Sequence, residues 1–156
     1  MVVMLVVLVA LGTIAGLTVI SVQGGSAQAS AHRFSAMALY AAESGAAAAM
    51  GWLDHRYHPH RRFTAVLGEP PAEIPGNGVR PGQSGNLLSD DQQGWYEVTL
   101  RNNPDDRGGD AVDTDGIIVL QVTGHGPGGA MRRLEWVVGK DAAADRMAFV
   151  GWRDLF

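Results

Sequence analysis

The chain begins with an apolar stretch, residues 1–20, and its first charged side chain is Arg33. A bilayer core about 30 Å thick needs roughly 20 apolar residues of helix, which this stretch supplies. A secretory signal carries basic residues before a shorter apolar core, and no Lys or Arg comes first here. We therefore expect residues 1–29 to form the transmembrane N-terminal half of a helix, which stays in the mature protein. A basic leader is expected to precede Met1 and to be removed just before it. Gly12 and Gly16 form a G-x-x-x-G pair, which suits close helix packing, although glycine is common in such helices.

A second hydrophobic pattern, with helical spacing, extends over residues 30–55. Small and aromatic side chains recur there at alternating spacings of four and three residues, which places them on one face of a helix. Because most of these side chains are small, another layer can approach closely. The pattern predicts the soluble half of a spine helix on which a sheet packs. The predicted face consists of Phe34, Ala38, Ala41, Gly45, Ala48 and Trp52.

The remaining residues, 56–156, change from helical spacing to loops and alternating strands. Frequent Gly and Pro between residues 64 and 92 predict an irregular loop, within a connecting segment assigned to 56–93. Alternation of apolar and polar positions then predicts strands, and their short connections imply an antiparallel meander over 94–156. The expected fold class is α+β, a long helix packed on a small sheet. The predicted strands are 94–101, 116–124, 130–139 and a possible fourth at 147–155.

Composition narrows the possible functions. Sixteen acidic residues against twelve Lys and Arg leave a net charge of -4, and no stretch is strongly basic, so nucleic acid is not an expected partner. The absence of cysteine excludes disulfides, thiol catalysis and Cys-based zinc sites. No Ser-His-Asp set, pocket-like carboxylate pair or phosphate loop is recognisable. We therefore expect neither an enzyme nor a bound cofactor.

Two local motifs resemble binding sites, one for a dinucleotide and one for zinc, but each is better explained as a structural element. The segment GHGPGG at 124–129 matches G-x-G-x-x-G, yet the dinucleotide motif needs a following helix. The residues that follow alternate like a strand, so a hairpin connection is expected. His55, His58 and His60 lie close enough in sequence to suggest zinc. Pro59 interrupts any helical geometry, and a solvated helix end beside several arginines is the favoured interpretation.

An acidic segment between the first two predicted strands suggests calcium. An EF-hand needs acids at alternating positions, a Gly at the sixth and a Glu at the twelfth. Placing Asp113 and Asp115 at the third and fifth positions leaves Val122 at the twelfth, so the standard loop fails. A looser arrangement that includes Asp105, Asp106 and Asp110 stays open, and no metal ligand is assigned.

The helix segment resembles a known family. The stretch LYAAESGAAAAMGWLDH is similar to the A-x-x-A-A-E-[AS]-G motif of PilX-type minor pilins of the type IV pilus, and residues 116–138 resemble the strand-turn-strand near the end of those proteins. The resemblance implies a type IV pilin-like fold, an inner-membrane anchor with a periplasmic domain, N-methylation at Met1 and later assembly into an extracellular filament. The residues that match the motif are Ala38, Ala41, Ala42, Glu43, Ser44 and Gly45.

One departure from the family suggests a place in the filament. Most pilins have a Glu at mature position five, which is thought to pair with the N-terminal amine of a neighbouring subunit; here that position is Leu5 if Met1 is the mature N-terminus. A subunit with no neighbour above it can dispense with that carboxylate. The resemblance therefore implies a minor pilin at the tip that helps initiate assembly. Its expected partners are other minor pilins, the major pilin, a tip adhesin, the inner-membrane assembly platform and membrane lipid.

Two other classes remain open from the sequence. A type II secretion pseudopilin has the same helix and sheet plan. A single-span periplasmic binding module or metal-dependent protein would instead use His55, His58 and His60.

Overall fold

The computed structural model describes residues 2–57, 59–67, 71–88, 93–107, 109–141, 143 and 145–155, with backbone alone for 2–21 and 72. The chain forms two compact units, residues 1–33 and 34–156. Within the described residues, no helix combines the length and the apolar character of a membrane span. Met1 and the surroundings of Gly12 and Gly16 lie outside the described part, so the predictions made for them stay predictions.

Helix α1 extends over Val2–Asp54 and ends one residue before the predicted boundary. In the first unit, side chains 22–33 are exposed, and the hydroxyl groups of Ser26 and Ser30 donate to helix carbonyls at 3.0 Å. In the second unit, the helix passes from half-buried to buried side chains after Phe34. Its alanine-rich sequence favours this conformation, because alanine is the best helix former.

The sheet is a four-stranded antiparallel meander with strands in the order of the chain. Each predicted strand is confirmed to within two residues at either end, because alternation and glycine-rich turns are local signals. The α+β prediction, a helix packed on a small antiparallel sheet, is therefore confirmed. The strands are β1 (Trp95–Asn102), β2 (Ile117–His125), β3 (Met131–Asp141) and β4 (Arg146–Leu155).

The helix buries a face that is rotated from the predicted one. Of the predicted face, Ala38, Ala41 and Gly45 are buried, as expected. The other three residues, Phe34, Ala48 and Trp52, are only half-buried, and the fully buried positions extend farther round the helix. The predicted stripe followed the aromatic residues, but the sheet contacts the small residues beside them. The core side of the helix consists of Ala38, Ala41, Ala42, Gly45, Ala46, Ala49 and Leu53.

The loop before the sheet is folded against the free edge of β1. It contains α2 (Thr64–Leu67) and a short 3-10 turn (Pro71–Glu73). Asn77 pairs with this edge through its side chain: Oδ1 accepts from the Val98 amide at 2.7 Å, and Nδ2 donates to the Val98 carbonyl at 3.3 Å. The same Nδ2 donates to the Pro71 carbonyl of the loop at 2.8 Å. No described strand covers the opposite edge, the outer side of β4.

Lys140, the only lysine of the chain, joins the end of α1 to the β3–β4 hairpin. Its side chain is 7% exposed, and Nζ donates to Asp54 Oδ1 and to the Asp145 carbonyl, both at 2.9 Å. The same Asp54 oxygen accepts from the Met147 amide at 3.0 Å. The hydrogen bond from Lys140 lowers the pKa of Asp54, and that bond also raises the pKa of Lys140.

Lys140→Met is expected to lower the melting temperature by several degrees at neutral pH and to change its pH dependence. A carboxyl pKa that is lowered on folding stabilises the fold at pH values above the ordinary carboxyl pKa of about 4. That contribution disappears as the pH falls through the folded-state pKa. A lysine pKa that is raised on folding stabilises the fold below about pH 10, and that contribution is lost as the pH rises through the folded-state pKa. Melting curves should therefore differ most between about pH 5 and 9 and converge in acid. Arg146→Met, at an exposed position of β4, is the charge-matched control; a difference from wild type that stays constant down to the lowest pH would contradict the assignment.

Candidate functional site

A groove opens between α1 and the last two strands and has a volume of about 490 Å³. Its walls are mostly apolar and aromatic, which is typical of binding surfaces. Phe149 is 48% exposed and Trp152 is 63% exposed, so large apolar side chains face solvent here. The groove is lined by Leu39, Glu43, Met50, Leu134, Trp136, Phe149, Trp152 and Asp154.

A β-bulge in β4 builds the aromatic wall. Val138 pairs with Phe149 and Val137 pairs with Gly151, which leaves Val150 as an extra residue. Side chains normally alternate between the two faces of a sheet, and one extra residue shifts that alternation. As a result, Phe149 and Trp152 line the same groove, and Phe149 packs edge-to-face on Trp136 with ring centroids 5.1 Å apart.

Two carboxylates give the groove a negative character. Glu43, the acidic residue of the family-like motif, is exposed and forms no hydrogen bond or ion pair within the described residues. Asp154 Oδ2 lies 3.5 Å from Arg132 Nη1, whereas its Oδ1 is buried without a hydrogen-bond partner. A buried carboxylate oxygen without a hydrogen-bond donor is unfavourable, and the neighbouring Arg132 offsets part of the negative charge of Asp154.

A second cluster of functional groups lies in the loop between β1 and β2. Asp106, Asp113 and Asp115 each contribute one carboxylate oxygen to a group whose members lie within 4.8 Å of one another. Asp113 is 4% exposed and accepts hydrogen bonds from the Phe63 amide at 2.8 Å and the Gly116 amide at 2.7 Å. Asp113 and Asp115, with which the sequence suggested calcium, both belong to this group, and of the residues added for a looser arrangement Asp106 belongs to it whereas Asp105 and Asp110 do not.

The other sequence motifs have structural positions. His55 and His60 are exposed, His58 lies outside the described residues, and within these residues no group of three potential ligands includes a histidine. The segment GHGPGG ends β2, forms a 3-10 turn at Pro127–Gly129 and leads into β3, so the hairpin prediction is confirmed. Two of its glycines, Gly124 and Gly126, lie against the backbone of α1.

The chain was compared with models of known protein families, with curated proteins and with solved structures, and none of them matches it.

Proposed function

We propose that this protein is a minor pilin of a type IV pilus that helps initiate assembly and remains at or near the filament tip. The observation that supports this most directly is the continuous helix Val2–Asp54, whose second half packs through Ala and Gly on an antiparallel meander. Its first twenty residues are apolar and uncharged. One helix that offers lipid-compatible residues at one end and carries a folded domain at the other suits a membrane-derived filament subunit.

The position in the filament follows from the N-terminal sequence. In an apolar environment, an unpaired amine is costly, and a neighbouring carboxylate relieves that cost. If Met1 is the mature N-terminus, Leu5 stands at position five and offers no carboxylate to a subunit above it. If this subunit were repeated along a shaft, each copy would leave the N-terminal amine of the subunit above it buried without a carboxylate partner. A single copy at the end of the filament has no subunit above it and therefore leaves no such amine unpaired. The subunit is therefore expected to cap pilins that retain their Glu.

The groove provides the lateral contact in this proposal. Its occupant is a segment of a neighbouring minor pilin that inserts an apolar side chain between Trp136 and Trp152 and places a Lys or Arg beside Glu43 and Asp154. The apolar walls supply contact area, and the two carboxylates select a cationic partner by charge complementarity. Arginine in particular forms paired hydrogen bonds with carboxylates.

Deletion of the gene is expected to reduce the number of filaments more than it changes the composition of their shafts. Initiation is impaired when the tip complex is incomplete, but elongation uses the remaining subunits. Quantitative proteomics of sheared wild-type filaments should find one or a few copies for each filament, with a methylated Met1 as N-terminus. Copies that increase in proportion to filament length, or a mature start at Ser30, would contradict the proposal. A secretion defect with normal filaments would indicate a pseudopilin instead.

The same assay tests the groove. Phe149→Glu, in the groove, should reduce filament number several-fold in a complemented deletion strain, because the partner must then desolvate a new charge. Val150→Glu introduces the same charge at the next residue, which lines a different cavity, and should retain assembly. Equal filament numbers for the two variants would exclude the groove as the contact surface.

A further inference from the structure

The two edges of the sheet differ in how their backbone groups are covered. At the β1 edge, the side chain of Asn77 bonds to the amide and the carbonyl of Val98, which are the groups that a further strand would use. The Gly78 amide donates to the Tyr96 carbonyl of the same edge at 2.8 Å. Among the described residues, no strand pairs with the outer side of β4. The fold therefore protects one edge and leaves the other able to pair with a partner chain.

The hydrogen bonds around the β3–β4 hairpin show which groups of β4 face the open edge. The Met147 amide donates to Asp54 Oδ1 and therefore points away from β3. Lys140, which lies opposite Met147, donates its own amide to the Gly116 carbonyl on the β2 side, as the alternation of an antiparallel ladder requires. The same alternation along β3 gives the other residues of β4 whose N–H and C=O groups face the open edge. They are Phe149, Trp152 and Asp154.

These three residues also line the groove between α1 and the last two strands. A chain that runs along the open edge can pair with their backbone groups, and every second side chain of that chain then points over the groove. Residues 147–152 contain no charge and no proline, the two features that most often prevent an edge strand from pairing. The bulge at Val150 interrupts such pairing for one residue, and the Met147 amide is already bonded. The pairing segment is therefore 149–155.

We propose that the neighbouring minor pilin binds as an added β-strand along residues 149–155 of β4. The inference rests on the proposed function and names the form in which the partner reaches the groove. Strand addition gives affinity through main-chain hydrogen bonds and specificity through alternate side chains. The matching strand has apolar side chains at alternate positions, opposite the aromatic wall, and a Lys or Arg at the position that reaches Glu43.

Charge favours such a strand over a second copy of β4. On the groove side, β4 itself presents Phe149, Trp152 and Asp154. Pairing with a second copy would therefore bring another aspartate to a groove that already contains Glu43 and Asp154. Like charges at an interface disfavour the wrong partner, whereas a Lys or Arg complements the two carboxylates.

Asp154→Pro and Asp154→Ala separate the backbone contribution from that of the side chain. Both remove the carboxylate, but only proline removes the N–H that faces the open edge. Proline at such a position of an edge strand leaves the β3–β4 ladder intact, so the melting temperatures of the two full-chain variants should agree within about 3 °C. In the complemented deletion strain, Asp154→Pro should give several-fold fewer filaments than Asp154→Ala.

The outcomes distinguish strand pairing from the proposed function. Equal filament numbers for the two Asp154 variants, with Phe149→Glu still defective, would overturn strand pairing and leave the groove as the contact surface. Normal filaments in the deletion strain would contradict the proposed function itself. Sedimentation of the wild-type chain in detergent micelles tests the other occupant: a dimer that Asp154→Pro abolishes would assign the edge to a second copy and overturn the proposal.

An appended strand tests the edge without the partner or the filament. The full chain is extended beyond Phe156 by an Asn-Gly turn, which favours a hairpin, and a short strand of alternating threonine and valine. Amide hydrogen exchange in micelles, followed by NMR, should slow at least about tenfold at Phe149, Trp152 and Asp154, and change little at Ala148, whose amide faces β3. The same extension with proline in place of each valine should leave exchange as in wild type. Unchanged exchange with the threonine–valine strand would overturn the proposal.

Discussion

Replacing Gly124 with alanine is expected to destabilise the helix–sheet unit by more than about 3 kcal/mol, although it adds one methyl group. A Cβ at this position would lie 2.0 Å from the Ala38 carbonyl oxygen and 2.4 Å from the Ala42 amide nitrogen. Both are backbone atoms of α1, so no side-chain rotation can relieve the overlap. The helix would have to move away from β2, and a close-packed core tolerates such separation poorly.

Chemical denaturation of the full chain, followed by circular dichroism, measures this effect. Gly151→Ala is the control: Gly151 also lies in a strand, and an added Cβ there meets no atom within 4 Å. That variant should be within about 0.5 kcal/mol of wild type, as is usual for an open surface position. Similar unfolding midpoints for the two alanine variants would mean that β2 does not approach the helix this closely.

Gly45→Leu is expected to cost at least about 3 kcal/mol, at or above the upper end of the usual range for overpacking. A Cβ on Gly45 would lie 2.7 Å from Tyr96 Cδ2 and 3.0 Å from Val122 Cγ1. Tyr96 is 1% exposed, and its hydroxyl donates to the Pro75 carbonyl at 2.6 Å, so the ring is fixed at both ends. The gain in helix propensity, about 1 kcal/mol for replacing glycine, offsets only part of this cost.

The matched control is Ala47→Leu, which adds a similar side chain two residues later on the exposed side of α1. It should change the free energy of unfolding by less than about 0.5 kcal/mol. Limited proteolysis gives a second measurement, because displacing Tyr96 removes the anchor of the loop at Pro75. Faster cleavage within residues 71–88 in Gly45→Leu alone would support the mechanism, and equal stability of the two variants would contradict it.

The elements of this protein were predictable because their signals are local. Alternation over a few residues marks each strand, and glycine-rich segments mark where strands end. The GHGPGG segment illustrates this: the alternating residues after it predict a strand, and β3 begins at Met131. The alanine-rich stretch likewise predicts the helix up to about residue 55, and α1 ends at Asp54. Antiparallel order followed from the short connections.

The sites depended on contacts between segments that are distant in sequence. Periodicity places residues on one face of a helix but does not determine which part of that face the sheet contacts. Phe34 and Trp52 were therefore predicted to lie on the buried face, whereas the centre of that face lies farther round the helix. The bulge at Val150 reverses side-chain alternation and brings Phe149 and Trp152 into one groove. No local pattern specifies that change.

The sequence alone thus determined the helix, the four strands and their antiparallel order, since each depends on neighbouring residues. Tertiary structure decided how closely the elements approach and which side chains meet. Gly124 appears in the sequence as part of a turn motif, yet it lies where the backbone of β2 touches the backbone of α1. Asp113 and Asp115 likewise join Asp106 only because the β1–β2 loop folds back on itself. Distances across such a fold arise from packing of the whole chain, and residue spacing does not encode them.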